Sequence, residues 1–391
     1  MALLSSAQRA ALSRSISSMP ARSKTLIRTS GFALGLAGAI AINLLTWQSP
    51  NPVVANNNDY SSYDEYVEYP DTALSLDAIN VFGDSLVDSG NFFDLTSAFS
   101  EAGVPALPPS PPYAQKFSNG PVWVETLAQE LGFSIKSKSV LSKTDSLGVD
   151  KSVNFAVAGA LSSDVNLSDS DIPALADSLP GFQEQVSEFV SLSNALGSKA
   201  QLLQSNALTI VAVGSNDYIA AVGSPDSLGE LSIDALPDIV TDNIISGIEQ
   251  LSTTGAENFL VVNIPLLGEA PLADFFGAQS GQDISSTLNQ LSVAHNEQLS
   301  QKLDILSTNN PNINIVALDI GTLFSQISAR PSEFMLENVT EACLTNFQPG
   351  FQFEGICENP DRFAFWDDVH PTAAAHRIIS DFAIAALQAE K

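Results

Sequence analysis

Three short segments combine glycine with small or polar residues in a way that suits acyl chemistry: Gly83-Asp84-Ser85-Leu86, Val157-Ala158-Gly159-Ala160 and Gly214-Ser215-Asn216-Asp217. Each follows a compact apolar run, so each offers backbone amides and short side chains for close approach to a ligand. A serine hydroxyl attacks an acyl carbon only when a base takes its proton and donors hold the oxyanion that forms. The chain has 3 histidines, which leaves few candidates for that base. His295 lies mid-helix in Ser292-Val293-Ala294-His295-Asn296-Glu297, where packing or solvent contact accounts for it. His376 falls within the last helical pattern and reads the same way. His370 is different. It stands in Phe365-Trp366-Asp367-Asp368-Val369-His370-Pro371. The proline holds it out of helical geometry and can itself open the final helix. A histidine at a loop-to-helix junction, with a carboxylate three residues earlier, is well placed as a general base.

Such residues must be brought to one edge by the elements before them. From residue 77 onward, short apolar runs alternate with helical patterns. Residues 78–82, 153–157, 208–213, 259–264 and 313–318 read as five strands. Their runs are continuous rather than alternating, which points to a sheet buried on both faces. Between and after them lie candidate helices at 122–131, 182–196, 237–251, 284–306 and 372–387. This order predicts an α/β fold: a three-layer α/β/α sandwich on a five-stranded, mainly parallel, flavodoxin-like sheet. Ligands in such folds sit at the carboxyl ends of the strands. The three segments above follow the first three strands, so they share that edge.

The same segments carry a resemblance. Ile79-Asn80-Val81-Phe82-Gly83-Asp84-Ser85-Leu86-Val87-Asp88-Ser89-Gly90-Asn91 resembles the first block of the GDSL, or SGNH, hydrolases. Asn154-Phe155-Ala156-Val157-Ala158-Gly159-Ala160 is similar to their second, although Ala158 stands where many relatives have another glycine. Gly214-Ser215-Asn216-Asp217 matches their G-x-N-D block and Asp367-Asp368-Val369-His370 their D-x-x-H block. The segment Phe117-Ser118-Asn119-Gly120-Pro121-Val122-Trp123-Val124-Glu125 resembles a stretch of the lipase-type branch. The blocks occur in family order, and the chain has no G-x-S-x-G elbow of the other large hydrolase class. The resemblance implies a serine ester hydrolase, a lipase, esterase, phospholipase or acyltransferase. Ser85 would be the nucleophile, His370 the base and Asp367 its partner. The amides of Ser85 and Gly159 and the side chain of Asn216 would form the oxyanion hole. Asp84 is expected to bond locally in its turn. No cofactor and no metal are expected. The apolar residues Phe92, Phe93, Leu95 and Phe99, with the proline-rich 105–112, would form either an acyl-accommodating lip or core packing.

Composition narrows the setting. The 391 residues carry a net charge of −28, with 44 acidic against 16 basic side chains. Phosphate binding needs clustered Lys and Arg, so a nucleic-acid partner is not expected. Residues 1–55 hold Arg9, Arg14, Arg22, Lys24 and Arg28, no acidic residue, then an apolar run from residue 31 to 45 and Val53-Val54-Ala55. That order describes a cleaved export signal; the run is short for a stable membrane anchor. A secreted or periplasmic location follows. Residues 56–76 read as a flexible linker and 77–391 as the hydrolase domain. Cys343 and Cys357, the two cysteines of the chain, are expected to form a disulfide in an exported protein, with two buried thiols as the alternative. The expected partner is a small-molecule or lipid ester. Two rivals stand: a carbohydrate O-acetyl esterase using the same residues, and a non-catalytic secreted binding protein.

Overall fold

Strand β1 (Ala78–Gly83) is buried along its whole length, and its alternating side chains enter two different cores. Ile79 and Val81 meet Leu208, Ile210, Leu260 and Val262 on one face. Phe82 meets Val153, Val211, Phe259 and Val261 on the other. The computed structural model describes residues 76–100, 103–138, 152–169, 178–196, 205–224, 231–347 and 351–389. The expected export signal, and the linker as far as residue 75, lie outside the described residues.

With β2 (Ile135–Ser137), β3 (Ser152–Asn154), β4 (Ala207–Ala212), β5 (Asn258–Val262) and β6 (Asn314–Leu318), β1 forms a sheet ordered β2-β3-β1-β4-β5-β6. Every neighbouring pair is parallel. Without β2 this is the flavodoxin-like order. The expected five strands are thus corrected to six. Strand β2 reads Ile-Lys-Ser and is half-buried or exposed throughout, so it offers no apolar run to detect. The expected strand at 153–157 is also shorter. Phe155 and Val157 still donate to the Val81 and Gly83 carbonyls, but the chain there is already turning into its loop.

The helices are α1 (Asn91–Ala98), α2 (Trp123–Glu130), α3 (Phe182–Leu196), α4 (Ser215–Gly223), α5 (Leu236–Ser252), α6 (Pro271–Ser280), α7 (Ile284–Asn309), α8 (Ile320–Ala329) and α9 (Ala373–Ala389). Phe182, Val186 and Phe189 of α3, Ile244 and Ile248 of α5, and Leu288 and Leu291 of α7 cover the face reached by Phe82. Trp123 and Leu127 of α2, Leu323 and Ile327 of α8, and Ile379 and Ala383 of α9 cover the opposite face. Three layers result. The chain leaves β1 for β3 on one side, then crosses back to β4 on the other. A crevice opens at such a reversal, outside the strand ends.

Beyond the sheet, β7 (Asn338–Ala342) pairs with β10 (Phe363–Phe365), and β8 (Leu344–Thr345) pairs with β9 (Gly355–Ile356). A disulfide joins Cys343 to Cys357. The Cys343 and Leu344 amides donate to the carbonyls of Phe365 and Trp366 at 3.0 and 2.8 Å. The bridged loop is therefore stitched to the residues just before Asp367. Replacing both cysteines by alanine should lower the unfolding free energy by about 3 kcal/mol, the chain-entropy worth of a loop this size. The urea midpoint measures it; an unchanged midpoint would mean that the loop holds without its bridge.

Candidate active site

Gly83 ends β1 with φ of 149°, and a Cβ there would lie 2.0 Å from the Ala212 carbonyl oxygen of β4. Glycine is what permits so close a hand-over between the two strands. The Gln185 side chain of α3 fixes the position by accepting from the Gly83 amide and donating to its carbonyl, each at 2.9 Å. Next, Asp84 accepts from the Leu86 amide at 3.0 Å, the local bond expected of it. Burial pushes the Asp84 carboxyl up to about 7, against the pull of the Leu86 amide and His370. Ser85 sits on the turn so made.

Asp88 links this tip to the next. Its Oδ1 accepts from the amides of Gly90 (2.8 Å) and Asn91 (2.6 Å), and its Oδ2 from those of Phe92 (3.0 Å) and Ala158 (2.9 Å). One carboxylate thus starts α1 and clamps the peptide before Gly159. Burial raises its pKa to about 6 despite those donors. Gly159 has φ of 80°, and a Cβ would meet Asn166 Oδ1 at 2.6 Å. The third tip is tied to the second through α4: Asp217 accepts from Ser162 Oγ and N, and Asn216 Nδ2 donates to the Ala160 carbonyl at 3.1 Å. The amides of Ser85 and Gly159 find no backbone acceptor among the described residues.

His370 Nε2 lies 2.9 Å from Ser85 Oγ, and its Nδ1 lies 2.8 Å from Asp367 Oδ2. With the Nδ1 proton donated to the carboxylate, Nε2 presents a lone pair to the serine hydroxyl. Asp367 is buried, which alone would raise its pKa. The charge and hydrogen bond of His370, with the amides of Val369 and His370, win and hold it below the usual carboxylate value. The lipase-like segment proves to be a brace for this histidine. The Phe117 ring lies 4.8 Å from the imidazole, Ser118 Oγ donates to the Pro371 carbonyl at 3.0 Å, and Asn119 Oδ1 accepts from the Ala373 amide at 2.8 Å. Asp368 makes no hydrogen bond to His370; its carbonyl accepts from the Leu272 amide, and burial pushes its carboxyl up to about 7.

The other candidates fall where packing puts them. His295 is buried against Tyr218, whose hydroxyl is 2.8 Å from its Nδ1. His376 is buried in α9. Burial pushes both imidazoles down to about 3. Phe92 packs with Leu107, Phe117 and Val157, with Leu95 and Phe99 beside it, which favours the core reading of that insert over an acyl lip. Tyr113 is the residue that sequence reasoning missed. Its hydroxyl donates to Asp367 Oδ2 at 2.7 Å, and its buried ring stands edge-on to Trp366 and Phe351. A tyrosine closing a proline run is its one sequence signal, and it says nothing of a partner 254 residues away.

From Asp84, Ser85, Asn216 and His370, a cavity of about 70 Å³ runs into the molecule between the sheet and helices α8 and α9. Its walls are apolar, with Val262, Ile264, Phe324, Ile327, Ala364 and Ile379 among them. Among the described residues, no three His, Cys, Asp or Glu side chains are grouped to hold a metal ion, and no helix is long and apolar enough to cross a membrane.

The sequence profile described as GDSL-like Lipase/Acylhydrolase matches residues 79–382. One GDSL esterase/lipase of Arabidopsis thaliana is 28% identical over 322 residues, covering 78% of this chain and 87% of the relative. A second from the same plant is 29% identical over 341 residues, covering 77% and 82%. A solved acetyl xylan esterase, 13% identical, covers 79% of this chain and 99% of its own with a TM-score of 0.32, too low to bear on the reading of this chain.

Tyr113→Phe keeps the ring and removes one donor to Asp367. It should lower kcat roughly threefold to tenfold. The carboxylate, relieved of that donor, then favours the protonated imidazole more strongly, so the acid limb of kcat/KM should move to higher pH. An unmoved limb with unchanged kcat would reduce Tyr113 to packing. A second expectation concerns stability. Asp84, Asp368, Asp88 and Asp217 have folded values of about 7, 7, 6 and 6 against 3.8 when unfolded. Their stabilising share is complete below the unfolded value and lost as pH rises through 6 to 7. The two buried histidines act oppositely but are outnumbered, so Tm should be higher at pH 5 than at pH 8. A Tm that rises over that interval would contradict the burial of these carboxyls.

Proposed function

The chain belongs to the GDSL-like lipase and acylhydrolase family and is a carboxylic ester hydrolase; on that premise we propose that it is an exported enzyme cleaving esters of apolar acyl groups through an acyl–Ser85 intermediate. The observation that carries this reading is His370, bonded by one nitrogen to Ser85 and by the other to Asp367 at the mouth of an apolar slot. Ser85 Oγ gives its proton to His370 Nε2 as it bonds to the ester carbonyl carbon. The carbonyl π electrons move to oxygen, where the Ser85 and Gly159 amides and Asn216 Nδ2 receive the charge. Asp367 stabilises the imidazolium. Collapse restores the carbonyl and breaks the bond to the leaving alcohol, which takes the proton from His370. Water then attacks the acyl enzyme by the same route and frees the acid and Ser85.

Acyl groups enter the apolar slot and the alcohol part faces the crevice. The apolar walls support an acyl group with hydrocarbon to bury over a carbohydrate acetate. The leader-like residues 1–55 and the disulfide both support export, since such bonds persist in oxidising compartments.

Ser85→Ala should abolish turnover with the fold intact, and an organophosphonate should label wild type at Ser85; labelling elsewhere would sink the assignment. Asp367→Asn should lower kcat by up to about 10⁴, as for a triad carboxylate, and Asp368→Asn by less than about tenfold. The reverse ranking would overturn the triad. Across acetyl to palmitoyl esters, kcat/KM should rise beyond acetyl; a maximum at acetyl would favour the O-acetyl esterase.

A further inference from the structure

Asn216 reaches the site on the first turn of α4, a helix whose start has no side-chain cap. Such a start is held by what other elements bring to it. Here they bring the loop that follows β3. The Ala160 carbonyl accepts from Asn216 Nδ2 at 3.1 Å; an amide nitrogen carries two N–H donors, so one is left for an oxyanion. Beside it, Asp217 grips Ser162 twice. Its Oδ2 accepts from the Ser162 amide at 2.9 Å and its Oδ1 from the hydroxyl at 2.8 Å. Asn243 of α5 stands behind, its Nδ2 donating to Ser162 Oγ at 3.0 Å. A hydroxyl has one proton. With Asn243 donating to the oxygen and the Asp217 carboxylate accepting, that proton belongs to the bond with Asp217. Ser162 itself is buried in a fixed loop. The neighbouring Leu161 amide donates to the Val165 carbonyl, and the Leu161 carbonyl accepts from the Phe182 amide of α3, each at 3.0 Å.

We propose that Ser162 is a positioning residue for ester cleavage: through Asp217 it sets how far Asn216 lies from the Gly159 amide, and Asn243 aims its hydroxyl for that task. The inference rests on the reading of Asn216 as an oxyanion donor and deepens it. Gly159 does not depend on this clamp. Asp88 holds the Ala158 amide, Asn166 Nδ2 donates to the Ala158 carbonyl at 2.9 Å, and the Gly159 carbonyl accepts from the Leu167 amide at 2.9 Å. The clamp therefore acts on Asn216. An oxyanion is stabilised by donors already in place when its charge develops, and a misplacement of about 1 Å costs up to about a hundredfold in rate. The ester oxygen carries little charge before attack, so a displaced donor lowers kcat far more than it changes KM.

The test is a double-mutant cycle between Ser162→Ala and Asn216→Ala, read as kcat and KM on one soluble ester. Ser162→Ala should lower kcat about tenfold to thirtyfold and change KM less than about threefold. In the Asn216→Ala protein the same substitution should lower kcat by less than about threefold, because the donor it places is gone. Equal factors in both backgrounds would overturn the proposal, since a general loosening of the fold costs the same whether or not Asn216 is present. So would a Ser162→Ala enzyme within about threefold of wild type. Should Ser162→Ala misfold, the half-buried Asn243 carries the test. Asn243→Asp keeps the shape but turns a donor into an acceptor, so one hydroxyl proton faces two carboxylates. It should lower kcat more than Asn243→Ala does, by at least about fivefold against wild type; an aspartate variant no worse than the alanine variant would overturn the clamp and leave Ser85 standing. An Asn216→Ala enzyme with the kcat of wild type would overturn the oxyanion reading and the clamp with it, and turnover that survives Ser85→Ala would overturn the nucleophile itself.

Discussion

The contact of 2.9 Å between Ser85 Oγ and His370 Nε2 joins positions 285 residues apart, and the two ends are held by separate machinery. Ser85 rides on β1, a central strand buried on both faces, whose exit is pinned by Gln185 from α3 and by the close pass of Gly83 under Ala212. His370 rides on no strand of that sheet. It is held by Asp367 below, by Phe117, Ser118 and Asn119 from the side, and by the disulfide-bridged loop through Phe365 and Trp366. Reacting groups need placement within about half an ångström to act together. For the proposed nucleophile a rigid sheet supplies that; for the proposed base it comes from several small contacts acting at once.

Buried carboxylates are the recurring device at this edge. Asp84, Asp88 and Asp217 each gather backbone amides from a turn or from the neighbouring strand tip, because a carboxylate can accept several N–H donors where an amide or hydroxyl accepts fewer. The cost is desolvation, visible as carboxyl groups pushed upward in pKa. Asp367 is also hydrogen-bonded to an imidazole, whose charge and hydrogen bond, with the amides of Val369 and His370, reverse the direction. The same residue type thus serves as scaffold at three positions and as electrostatic partner at a fourth.

Five strands were legible because each is a continuous apolar run, and their flavodoxin-like order follows from alternation with helices. Strand β2 was not, since Ile135-Lys136-Ser137 draws its pairing from β3 rather than from its own composition. Helix α4 was hidden because it begins at Ser215, inside a segment that reads as a polar turn. The D-x-x-H spacing singled out Asp367 over Asp368, and the helix entry at Pro371 makes that spacing meaningful. Tyr113, Gln185 and the course of the slot were illegible for one common reason. Each depends on which distant surfaces meet, and a local pattern carries no record of that.

The placement of His370 has a consequence for the order in which the molecule comes into being. All six strands of the main sheet are complete at Leu318, while Asp367 and His370 follow β10 and lead into α9. Chains fold from the N-terminus as they are made. A nascent chain can therefore assemble its sheet, with Ser85 already at the strand tip, before the base proposed for it has been made. On the proposed triad, chemical competence is the last property acquired, when α9 docks on α2 and the far side of the sheet. Until then the newborn chain is a nearly finished scaffold whose Ser85 lacks its neighbour.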